Sequence, residues 1–138
     1  MANKRQNAIL VVDDDRVTLK YMQGILRSMP CKVYFAQSGR EALARAEKVR
    51  IDLAFIDIVM PNMDGFETMM RWKKIQPETK IVIMSSYNDD ATVKRAIEQG
   101  AHTYLFKPIN RIDVFSIVSK TLKNAGMDAV ISYNLKNS

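Results

Sequence analysis

Four short, mostly apolar runs in this chain each end in residues able to do chemistry. Ala8 to Val12 runs into Asp13, Asp14 and Asp15, Leu53 to Ile56 into Asp57, Ile81 to Met84 into Ser85 and Ser86, and Thr103 to Phe106 into Lys107. Asp13, Asp14 and Asp57, gathered within a few ångströms, would repel one another unless a cation neutralised them. An all-oxygen acidic site open to water suits Mg²⁺, which keeps several waters and takes few protein ligands. A metal, a lysine and a hydroxyl around one carboxylate make a site for a phosphoryl group. Asp57 would then be the nucleophile, the metal and Lys107 would neutralise phosphoryl oxygens, and the hydroxyl of Ser86 would donate to another. Plainer readings exist for each: Asp57 as the cap of a turn, Lys107 as a surface lysine.

That chemistry requires the four runs to be neighbouring strands of one sheet. An apolar run of four or five residues that stops at a turn reads as a strand buried on both faces, and such strands belong to parallel sheets. Between the runs the periodicity changes to that of helices. Leu19, Met22, Leu26 and Met29 recur every three or four residues up to Pro30, and Ala42, Leu43 and Ala46 follow a capping box of Ser38 and Glu41. Asp64 and Glu67 are placed to start a third helix with Phe66, Met69, Met70 and the stem of Lys73 inward, stopping near Pro77. A fourth runs from about Asp90 to Gly100. A fifth starts at Asn110, with Ile112, Phe115, Val118 and Leu122 inward and Gly126 at its end. Cys31 to Ala36 alternates apolar with polar, as a less buried edge strand does. Five strand-helix units predict an α/β fold: a five-stranded parallel sheet with helices on both faces, doubly wound and flavodoxin-like, in the order 2-1-3-4-5. Ligands of such sheets bind at the carboxyl ends of the strands, where all four runs stop.

Composition sets the limits. A chain of 138 residues is the size of one domain, and 47% apolar with 26% charged residues is ordinary for a globular protein. No apolar run is long enough to span a membrane, the first residues do not form a signal peptide, and Cys31 is the single cysteine, which together predict a cytoplasmic protein. The net charge of +6 comes from basic residues interleaved with acids, the pattern of a solvated surface rather than of nucleic-acid contact. His102 has no partners for metal ligation and reads as a loop residue.

The segments ILVVDDD at 9 to 15, FIDIVMPNMDG at 55 to 65, IVIMSS at 81 to 86 and GAHTYLFKP at 100 to 108 resemble the receiver domain of bacterial response regulators. The resemblance covers about Ala8 to Asn124. It implies that Asp57 accepts a phosphoryl group from a histidine kinase or phosphotransfer protein. It further implies that Asp14, Asp57 and the backbone carbonyl of Val59 bind Mg²⁺ with help from Asp13, and that Lys107 pairs with a phosphoryl oxygen across a cis bond to Pro108. Ser86 then matches the switch hydroxyl and Tyr104 the aromatic ring that turns inward when it moves. Asp15 fits a frequent third acid but reads better as the start of a helix. Such a protein is a phosphoacceptor regulator, with only limited self-catalysed phosphorylation and dephosphorylation.

Two other readings compete. Asp13, Asp15 and Val17 fit the D-x-D-x-[TV] pattern of haloacid-dehalogenase-type phosphatases, although that leaves MPNMDG and Lys107-Pro108 unexplained. A receiver-like interaction module without phosphorylation would lack part of the acidic set. The sequence divides into a receiver at residues 1–124 and a tail or linker at 125–138, and it names neither the kinase nor the downstream protein or output domain. One departure from the family stands out. The residue after the switch hydroxyl is usually small, here it is Tyr87, and a ring of that size could cover a phosphoryl group, with Val59 unable to orient a hydrolytic water and Asn88 still able to.

Overall fold

The computed structural model describes residues 5–122 and 136. Its elements are β1 (Ala8–Val12), α1 (Arg16–Leu26), β2 (Lys32–Ala36), α2 (Gly39–Ala46), β3 (Leu53–Asp57), α3 (Gly65–Ile75), β4 (Lys80–Ser85), α4 (Asp90–Glu98), β5 (Thr103–Phe106) and α5 (Arg111–Thr121). The strands form one parallel sheet in the order β2-β1-β3-β4-β5. β1 and β3 are buried along their whole length, whereas β2 and β5, the two edges, are only partly so. The alternation in β2 therefore did mark an edge.

Side chains alternate across the sheet and build two cores. Leu10, Val12, Ala54, Ile56, Ile81 and Ile83 face α2, α3 and α4, where Ala42, Met69, Trp72 and Ala96 close the layer. Ile9, Val11, Leu53, Phe55, Val82, Met84 and Leu105 face α1 and α5, which contribute Leu19, Met22, Phe115 and Val118. Each helix starts at a side chain that accepts a backbone N–H: Asp15, Ser38, Asp64, Asp89 and Asn110. The capping pair at α2 is displaced by one residue, since Glu41 accepts from Gln37 rather than from Ser38.

Some local expectations are corrected. Met70 and Ile112, expected inside, are 52% and 60% exposed. α3 instead turns Trp72 into the core behind Phe66 and Met69, because the indole is the largest apolar surface available to it, and α5 buries Val114 with Phe115 and Val118. The stem of Lys73 is used as expected: it crosses Gly100, whose φ of +107° suits glycine and where an added Cβ would stand 2.7 Å from Lys73 Cε. β2 begins at Lys32, so Cys31 lies just outside it, and burial pushes its thiol up to about 11, away from thiolate chemistry. Gly126 and the apolar tail residues Val130, Ile131 and Tyr133 lie outside the described residues.

Candidate functional site

The register of the sheet brings the reactive strand ends together. Val12 stands opposite Ile56, Asp57 opposite Met84, and Ser85 opposite Phe106. Backbone bonds continue this order past the strands, from Asp13 N–H to the Ala36 carbonyl at 3.0 Å and from Lys107 N–H to the Ser85 carbonyl at 2.8 Å. Asp13, Asp57 and Lys107 extend the alternation of Val11, Phe55 and Leu105, and so share one face of the sheet. The Lys107 ammonium bridges them, 2.8 Å from Asp13 Oδ2 and 3.4 Å from Asp57 Oδ1.

The two carboxylates are held differently. Asp13, fully buried, accepts from Asp15 N–H at 2.9 Å through one oxygen and from Lys107 through the other. Asp57, 5% exposed, has only long contacts on Oδ1, at 3.4 Å from both the Val59 N–H and Lys107. Short bonds fix Asp13 and looser ones leave Asp57 available. Burial, followed by the charge of Asp13, pushes the Asp57 carboxyl up to about 6 against the opposing pull of Lys107. Burial lowers the Lys107 ammonium, but its hydrogen bond to Asp13 and the charge of Asp57 outweigh that and raise it. Lys107 thus stays charged at neutral pH, and its bond to Pro108 is cis.

Carboxylate oxygens of Asp13, Asp14 and Asp57 lie within 4.8 Å of one another, with Asp14 exposed and the other two buried. Oxygens around a Mg²⁺ ion stand roughly 3 to 4 Å apart, so carboxylates gathered this closely would need only small side-chain movements to hold one together. The donor set, hard anionic oxygens from two strand ends, fits that ion. The loop after Asp57 is drawn tightly beneath it. The Gly65 N–H donates to the Ile58 carbonyl at 2.8 Å, and a Cβ at Gly65 would collide with the Asp57 carbonyl oxygen. Only glycine allows α3 to start there.

The two serines separate sharply. Ser85 is buried and its Oγ accepts from the Tyr87 N–H at 2.9 Å, whereas Ser86 is exposed. Tyr104 donates its hydroxyl to the Tyr87 carbonyl at 2.8 Å, so that Ser85 and Tyr104 hold the two backbone groups of Tyr87. Burial pushes the Tyr104 phenol up, with Ser85 opposing. The serine linked to Tyr104 through Tyr87 is thus Ser85, while Ser86, the switch hydroxyl expected from the resemblance, stands exposed. β4 keeps its pairing through Ser85, a register that the sequence does not print. Tyr87 is 54% exposed and Val59 56%, and Asn88 is exposed as well. Asp15 caps α1 through the Val17 N–H, as expected of a helix start.

The family model for the response regulator receiver domain matches residues 9–119. The chain belongs to that family. Receiver domains are phosphoacceptors that bind Mg²⁺ at an acidic pocket and work with kinases and output domains, and the family sets aside the phosphatase reading of Asp13 and Asp15. The transcriptional regulatory protein ZraR of Escherichia coli (strain K12) is 35% identical over 114 residues, which is 83% of this chain and 26% of that one. The chain thus spans about a quarter of the length of that relative. Among solved structures, a CheY-like response regulator receiver domain protein from Methanospirillum hungatei JF-1 is 27% identical with a TM-score of 0.79, covering 94% of this chain and 99% of that one. The CheX-CheY-BeF3-Mg+2 complex from Borrelia burgdorferi contains a chain 27% identical, with a TM-score of 0.78 and coverage of 83% and 87%. Among the described residues no helix is long and apolar enough to cross a membrane.

Proposed function

We propose that this receiver takes a phosphoryl group onto Asp57 from a histidine kinase or phosphotransfer protein, in a Mg²⁺-dependent reaction. The observation that carries the reading is the Lys107 ammonium seated between Asp13 and Asp57, beside the one carboxylate whose bonds are long. In the transfer a carboxylate oxygen of Asp57 forms the new O–P bond as the N–P bond of the phosphohistidine breaks, and the departing imidazole nitrogen takes a proton from water. Asp13, Asp14, Asp57 and the Val59 backbone carbonyl would hold Mg²⁺, which when bound supplies charge neutralisation for the phosphoryl oxygens. Lys107 supplies the second positive charge. We assign the hydroxyl that donates to a third oxygen to Ser85, because it is the buried serine at the end of β4 and is linked through Tyr87 to Tyr104.

The same residues support limited self-catalysed phosphorylation by small donors and slow hydrolysis, with the exposed Asn88, in the loop after β4, as the side chain that would orient water. We place the domain at residues 1–124 and read 125–138 as a tail or the start of a linker. Any contact with nucleic acid in a longer chain of the ZraR kind would belong to residues beyond this domain. Intact-mass measurement tests the assignment. Acetyl phosphate with Mg²⁺ should add one hydroxylamine-labile phosphoryl group to the wild type and none to Asp57→Asn, and none should appear without Mg²⁺. Equal labelling of the Asn variant overturns the role of Asp57.

A further inference from the structure

Among the described helices α1 to α5, α4 buries the fewest residues, since of its nine only Ala96 is buried. A second contact compensates. The guanidinium of Arg95 lies over the ring of Phe66, 3.9 Å from its centroid, although Arg95 is itself exposed to water. Phe66 is 4% exposed and follows Gly65, the residue whose close approach to the Asp57 carbonyl fixes the loop after the acceptor. A short mechanical path therefore runs from the Asp57 backbone through Gly65 and the Phe66 ring to Arg95 on α4. It differs from the path through Ser85 and Tyr104, which reaches β5.

We infer that the Arg95–Phe66 stack is a latch that holds α4 to the start of α3 and ties its docking to the position of the loop after Asp57. A helix with one buried residue opens locally at low cost, so a single cation–π contact is a large share of what keeps it closed. When the loop between Asp57 and Gly65 rearranges around a phosphoryl group and its metal, the ring beneath Arg95 moves with it, and α4 feels the change directly. The signalling consequence rests on the phosphoacceptor reading of Asp57. The latch itself does not.

Hydrogen exchange of the α4 amides, referenced to those of β1 and β3, tests both parts in the wild type, Arg95→Gln, Phe66→Leu and the double variant. Phe66→Leu keeps an apolar side chain at the buried position while removing the ring. Without any ligand, each single variant should exchange in α4 about threefold faster than the wild type, the factor expected for one exposed cation–π contact, and the double variant no faster than the singles. Equal exchange in Arg95→Gln and wild type, or additive effects in the double variant, overturns the latch. With beryllofluoride and Mg²⁺, residues 58–65 should gain protection in both wild type and Arg95→Gln, while the response in α4 should shrink in the variant. A full α4 response in Arg95→Gln overturns the coupling. A wild type silent at 58–65 counts against the acceptor reading instead, and the ligand-free comparison still decides the latch.

Discussion

The Tyr104 hydroxyl donates to the backbone carbonyl of Tyr87 at 2.8 Å, which pins the loop after β4 to the edge strand β5. The same loop is held at its start by the Ser85 Oγ, which accepts from the Tyr87 N–H. Tyr104 and Ser85 thus grip opposite sides of one residue. Any movement of Ser85 toward the acceptor must loosen or re-seat Tyr87, and through it Tyr104.

Tyr104→Phe isolates the first of these contacts, because it keeps the ring and removes the O–H. Losing one net hydrogen bond should cost about 1 kcal/mol, read as a lower urea midpoint with an unchanged m-value. Amides of residues 86–89 should exchange faster while those of β1 do not. An unchanged midpoint together with unchanged exchange would show that the bond contributes nothing in solution.

Asp57 carries a signature in pH. Its carboxyl is raised to about 6 on folding, chiefly by burial and then by Asp13, so the folded chain holds that proton more tightly than the unfolded one. In metal-free buffer this group therefore favours the folded state most below about pH 4, loses that contribution as pH rises from about 4 to about 6, and adds no further slope above. Asp57→Asn should remove that slope and, at pH 7.5 without metal, be more stable than wild type by about 1 to 3 kcal/mol. Mg²⁺ should stabilise the wild type more than the variant, since binding to the folded state alone raises stability. Parallel pH profiles for the two proteins would contradict the repulsion at the site.

The sheet order and the convergence of Asp13, Asp14, Asp57 and Lys107 were legible in the sequence because each rests on a run of buried strand residues ending at a polar one. Period and strand length are local properties. Which serine is buried is not local, since it depends on where β4 stops pairing with β5, and two adjacent hydroxyls differ only in that register. Two helix positions departed from expectation for a similar reason, while the other apolar residues of those two faces were buried as expected. Met70 and Ile112 fit an apolar stripe, but Trp72 and Val114 took the inward positions once the helices met the sheet.

Tyr87 shows the same limit at the site itself. Its size suggested a shield, and that expectation assumed that Tyr87 directly follows the switch hydroxyl. On the proposed assignment to Ser85 the adjacent residue is the small Ser86, and Tyr87 is 54% exposed. Tyr87→Ala should accordingly leave acetyl phosphate uptake and dephosphorylation within about twofold of wild type, the range of ordinary surface substitutions. A rise in both rates would restore the shield and require the ring to fold inward in solution.

The assignment of the hydroxyl to Ser85 can be separated from its neighbour by a pair of single substitutions. A hydroxyl that donates to a phosphoryl oxygen forms a charge-assisted bond worth about 1.5 to 3 kcal/mol, roughly tenfold to a hundredfold in affinity for a phosphoryl mimic. Ser85 and Tyr104 hold the two backbone groups of Tyr87, so a move of Ser85 also disturbs the partner that Tyr104 uses. Ser85→Ala should weaken beryllofluoride binding in the presence of Mg²⁺ by about tenfold or more and abolish the shift of the Tyr104 ring resonances that binding produces. Ser86→Ala, at an exposed position, should leave affinity within about twofold and the ring shift intact. The reverse pattern would return the role to Ser86 and make the link from Ser85 through Tyr87 to Tyr104 a packing feature of the resting protein.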